Sequence, residues 1–157
     1  MTLLALAALT TLLQATPASA VERPAVEAFI PPADREGAEH FRMSSAVRAG
    51  DRLYLSGVVG YIRLSEARTA ESYETAIRDA FQRAETVLNS AGCDWSDVVE
   101  MTSFHVDMRE HQEIFRAVRE EFITEQPWPA WSGIGVEQLW SDALFVEMRI
   151  VAHTADC

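Results

Sequence analysis

The chain has 157 residues, 48% of them hydrophobic, which suits one domain with an ordinary core and rules out a disordered chain. Its 13 basic residues, all arginine, stand against 24 acidic ones for a net charge of -11, a balance that argues against nucleic acid as a main partner because such affinity rests on neutralising phosphates. The absence of lysine excludes a Schiff-base lysine and a phosphate-loop lysine.

Residues 1–20, MTLLALAALTTLLQATPASA, carry no charge and end on Ala18-Ser19-Ala20, a small-x-small cleavage pattern. They are expected to be a removed export signal, leaving a mature chain from about Val21 with no membrane attachment and a periplasmic or secreted location. Residues 21–40 hold three prolines without a sustained period and read as an extended leader rather than an element. The folded domain is expected over residues 41–153. Within it, FRMSSAVRAGDRLYLSGVVG offers two short β-type runs around Ala49-Gly50-Asp51, a hairpin whose second strand spans about Arg52 to Val59.

Between Glu71 and Ser90, apolar side chains recur every three or four positions (Tyr73, Ile77, Ala80, Phe81, Ala84, Val87, Leu88), predicting an amphipathic helix stopped by Gly92. DVVEMTSFHVD, Asp97 to Asp107, alternates as a strand covered on one face does. A second helix is predicted at about His111 to Glu125, with Ile114, Phe115, Val118 and Phe122 as its stripe, ended by Pro127 and Pro129. AWSGIGVEQL and ALFVEMRIVAH follow as two last strands. The order β-β-α-β-α-β-β predicts an α+β sheet with both helices on one face.

Two cysteines are too few for a disulfide scaffold or a zinc knuckle. Cys93 and Cys157 could pair in an exported protein, but the terminal place of Cys157 favours a buried Cys93 and a Cys157 without a role. His105 lies mid-strand and His111 opens a helix, neither with a second ligand at metal spacing, so both read as structural or surface residues. His40 and His153 flank the ends. No nucleophile elbow, phosphate loop or Cys-His pattern is present, and no cofactor or metal is expected.

AVRAGDRLYLSG, AETVLNSAGCDWSDVVEMTSFHVDM, PAWSGIGVEQL and VEMRIVA, in this order and spacing, resemble the successive blocks of the RidA/YjgF (reactive intermediate deaminase, endoribonuclease L-PSP-like) family. The resemblance runs from about Met43 to Ala152. It implies a chorismate-mutase-like α+β subunit, a homotrimer and three small-molecule clefts between subunits, where archetypal members hydrolyse an enamine or imine to a 2-keto acid and ammonia.

It also implies site residues. Glu147 matches the glutamate that positions the attacking water, and an acid inside an apolar β run is itself costly unless bonded, exposed or functional. Ser56 and Gly57 match a strand end whose hydroxyl and backbone N–H face the ligand, and Gly133 would contribute only its backbone N–H. Met43 stands where archetypal members have tyrosine. Trp131 stands where they have the arginine that holds the substrate carboxylate, a task an indole with one donor and no charge does not perform. Arg149, two residues beyond Glu147 on the same strand face, is the candidate for returning a cation. These departures predict imine or enamine hydrolysis of altered specificity, with weak activity on 2-imino acids. The alternative is a non-catalytic trimeric binding protein of the cell envelope, with Trp131 as a stacking wall.

Overall fold

The computed structural model describes residues 25–155 and 157, so the expected signal segment lies outside the described residues. Seven strands form one sheet, ordered β1 (Val26–Phe29), β2 (Ala46–Ala49), β3 (Arg52–Leu55), β7 (Leu144–His153), β5 (Val98–His105), β6 (Ala130–Gly135), with β4 (Val58–Tyr61) also on β7. All pairings are antiparallel except β5 with β6, which α3 (Gln112–Phe122) connects. Helix α2 (Ala70–Ser90) crosses from β4 to β5 on the same side. Strands and helices follow the predicted α+β, chorismate-mutase-like order.

Helix α2 starts where Thr69 and Ser72 exchange side-chain and backbone hydrogen bonds, and it buries every residue of the predicted stripe. Its axis comes close to the sheet at Gly60, where a Cβ would lie 2.6 Å from Val146 Cγ1 and 3.4 Å from the Ala76 carbonyl oxygen. Facing it, Val146, Met148, Ile150 and Ala152 of β7 are all buried. The opposite sheet face carries Val59, Phe104, Glu147, Arg149 and Val151 and has no helix over it.

The predicted strand over Arg52 to Val59 is broken at Ser56-Gly57. Four steps from Tyr54 to Val58 span three steps of β7, from Val151 to Met148, so one extra residue bulges out. The helix-facing set accordingly changes from Leu53 and Leu55 to Val58, Gly60 and Ile62.

Three expectations are corrected. Residues 21–40 are not a featureless leader: Val26–Phe29 pairs with β2, and α1 (Arg35–Phe41) folds on the domain, held by buried Ala38 and by Ser45 Oγ donating to Asp34 Oδ2 at 2.7 Å. Helix α3 ends at Phe122 rather than Glu125, because Ile123 leaves helical geometry (φ -104°, ψ 82°) and is itself buried. Cys157 has a partner after all, in a disulfide to Cys93 across 64 residues of chain with Cα atoms 4.8 Å apart. That bond ties Cys157 to the turn after α2.

Candidate functional site

The residues singled out from the sequence fall into two groups. Glu147 sits on the open face of β7, half-buried, opposite Val59 of β4 and Phe104 of β5. Its carboxylate rests on the Ser56-Gly57 bulge: a Cβ on Gly57 would lie 2.1 Å from Glu147 Oε1 and 2.7 Å from its carboxyl carbon. No side chain but glycine's leaves that carboxylate in place. Among the described residues nothing donates a hydrogen bond or an ion pair to it, so the acceptor is unspent.

Ser56 is less available than expected. Its hydroxyl donates to the Ser44 carbonyl at 2.6 Å and its N–H to the Ser45 carbonyl at 2.9 Å, so both donors are engaged by the segment leading into β2. Met43, 43% exposed, lines with Ser56, Gly57, Phe41 and Arg83 a groove of about 290 Å³ between α1 and the bulge. Arg149 is exposed on the Glu147 face, opposite Thr102.

Trp131 and Gly133 form the second group, on the other face. Parallel pairing sets Trp131 beside Met101 and Gly133 beside Ser103, both buried under α3. The Trp131 ring stacks near Phe115 at 5.9 Å, the Arg119 guanidinium lies 4.2 Å from its centroid, and its Nε1 donates to Ser103 Oγ at 2.9 Å. A Cβ on Gly133 would meet Met108 Cε at 3.0 Å and Ser103 Oγ at 3.8 Å. Within one chain, then, Trp131 does not face Glu147: β5 separates their strands, ~10 Å at ordinary strand spacing, and their side chains leave opposite faces.

Sequence reasoning missed the polar chain beneath Trp131. Ser103 Oγ is 2.8 Å from His105 Nε2, and His105 Nδ1 is 3.0 Å from His111 Nε2; Ser103 is 0% exposed and both histidines 1%. His111 stacks on Tyr73, whose hydroxyl donates to Glu110, and its Nδ1 has no hydrogen-bond partner among the described residues. A detectable signal was the alternation itself, since Met101, Ser103 and His105 occupy one face of one strand.

Burial pushes both imidazoles down to about 4, with the charge of His111 adding to the effect on His105 and that of Glu110 opposing it on His111. The unfolded chain binds these protons near the ordinary 6.5, so the pair's stability is fully present above pH 6.5 and is lost as pH falls from there toward 4. The ring resonances of His105 and His111 should therefore keep their neutral shifts down to about pH 5; a titration midpoint near 6.5 for either would contradict this.

One mixed sheet backed by helices, with a glutamate lodged over a glycine bulge, defines an α+β chain of YjgF type. Residues 37–154 match the Endoribonuclease L-PSP family. The chain belongs to this RidA/YjgF family. It is 34% identical over 135 residues to the RutC family protein YjgH of Escherichia coli (strain K12), covering 85% of this chain and 96% of that one. It is 35% identical over 104 residues, 64% of this chain and 77% of the relative, to the 2-iminobutanoate/2-iminopropanoate deaminase of Dermatophagoides farinae. The solved structure of protein YJGH superposes with a TM-score of 0.70 at 30% identity, covering 87% of this chain and 100% of that chain. The fold alone is shared with Rv2704 of Mycobacterium tuberculosis, TM-score 0.66 at 23% identity, covering 82% and 99% of the two chains.

Proposed function

We propose that this protein is an exported, homotrimeric imine or enamine hydrolase in which Glu147 directs water onto a C=N carbon. The observation that carries the reading is the Glu147 carboxylate held over Gly57 with no partner of its own. A carboxylate so placed accepts a proton from water as the oxygen attacks, and returns it to the departing amine nitrogen, so that ammonia and a carbonyl compound leave. The deaminase name of the Dermatophagoides farinae relative supports the reaction class.

Assembly joins the two residue groups. The open face carries Tyr54 and Ile134 exposed together with half-buried Val59, Phe104 and Val151, an apolar surface that one layer of helices leaves uncovered. A closed three-fold ring buries it and sets Glu147 and Gly57 of one copy in a cleft with Trp131 and Gly133 of the next. The disulfide supports an oxidising compartment, as the uncharged N-terminal segment does. Light scattering at micromolar concentration should give three copies, and protein from its native cell should begin near Val21; a monomer, or an intact Met1, would contradict the respective statement.

Incubation of the purified protein with 2-iminobutanoate or 2-aminoacrylate generated in situ, following ammonia and keto acid, tests the reaction. Release above the uncatalysed background is expected. Its absence across both substrates would leave a binding protein, although the Trp131 ring, already engaged by Phe115 and Arg119, offers little as a stacking wall for a ligand.

A further inference from the structure

Among the described residues, half-buried arginines have acceptors, with one exception. Arg48 donates to the Ala91 carbonyl and to Glu27, Arg78 is forked between Glu74 and Glu121, and Arg83 donates to the Val59 carbonyl. On α3 itself, exposed Arg116 is held by Glu113 and Glu120. Arg119, one turn from Phe115, has neither a carboxylate nor a hydrogen-bond acceptor among the described residues, and its Nε is buried without a partner. Burial draws its pKa below the usual guanidinium value, opposed by Glu120. The contact with the Trp131 ring at 4.2 Å offsets part of the cost of desolvating this cation, but a π face gives its N–H groups no acceptor oxygen.

The strand beside it is open. Strand β6 ends the sheet, paired on one side only. Val136 N–H donates inward, to the His105 carbonyl. In a regular strand successive N–H groups point to opposite sides, so those of Ser132 and Ile134 share the inward side while that of Gly133 points to the free edge, with no side chain to screen it.

We infer that Arg119, laid on Trp131, and the outward Gly133 N–H form a binding site for a small monocarboxylate. The planar fork of the guanidinium suits two carboxylate oxygens, and a field set by a net charge of -11 works against multiply charged anions. This deepens the deaminase reading, since the carboxylate held would be that of a 2-imino or 2-oxo acid, but capture and hydrolysis are separable.

Calorimetric titration with 2-oxobutanoate, and with uncharged 2-butanone as the control, tests it on wild type, Arg119→Met and Arg119→Lys. The oxo acid should bind Arg119→Met at least about tenfold more weakly than wild type, Arg119→Lys should lie between, and butanone should not distinguish the three. Equal oxo-acid affinity in all three, or no saturable binding to wild type, overturns the site. So does a change of mass in Arg119→Met by light scattering, which would assign Arg119 to an acid of another copy. Oxo-acid binding lost in Arg119→Met without any imine turnover by wild type upholds the site and sinks the deaminase reading; imine turnover with an unchanged Michaelis constant in Arg119→Met does the reverse.

Discussion

Glu147→Gln should lower kcat for imine hydrolysis by at least about 100-fold, the ordinary loss when a positioned general base is removed, with an unchanged melting temperature. Glutamine keeps the shape that rests on Gly57 and removes only the capacity to take a proton. The effect should be reproduced from the other side of the contact. In Gly57→Ala the added Cβ would stand 2.1 Å from Glu147 Oε1, so the carboxylate must move and turnover should fall although Glu147 is intact. Glu147→Gln retaining more than a tenth of wild-type turnover would remove Glu147 from the chemistry. Loss in Glu147→Gln with full activity in Gly57→Ala would keep the base but free it from the bulge.

The largest expected change in stability is at the other end of β7. Closing a loop of 64 residues restricts the unfolded chain, a contribution of about 4 kcal/mol on the chain-entropy account. Cys157→Ser should lower the melting temperature by ~10 °C or more. Reductant should bring wild type down to the same value and leave Cys157→Ser where it is. If Cys157→Ser melts within about 2 °C of wild type, the bridge does not constrain the state from which the protein folds.

Much of this fold was legible because its signals are local. The α2 stripe needs no tertiary knowledge: seven apolar side chains at helical spacing between Tyr73 and Leu88 fix the buried face. The first segment was not legible for the opposite reason. Helix α1 has seven residues and buries only Ala38, and β1 is exposed along most of its length, so β1 depends on its pairing with β2, and the segment leading into α1 on Ser45, partners that three prolines in the sequence do not announce. The disulfide joins positions whose proximity follows only from β7 returning alongside β3 and β5.

The site was legible in part, and the division has a physical cause. Glu147 and Gly57 could be marked singly, but their contact depends on how β4 registers with β7. The side on which Trp131 emerges depends on parallel pairing with β5, and a shift of one residue would have turned it toward Glu147. Arg119 gave no signal at all: in the sequence it is one more charge on a polar helix face. Its lack of an acid becomes visible only when α3 is laid against β6 and the neighbouring arginines are seen to be engaged.

The extra residue at Ser56-Gly57 belongs to the candidate site and is surplus to the core. Delete Gly57 and β3 runs evenly into β4 with Val58, Gly60 and Ile62 still turned to α2, because Val58 then follows Ser56 as the next inward position, opposite Met148 as before. Keep Gly57 and the interior together, and one peptide unit must stand outside the ladder, beside the Glu147 carboxylate. A deletion of one residue would therefore leave α2 the surface it rests on and take away only the backbone on which the Glu147 carboxylate lies.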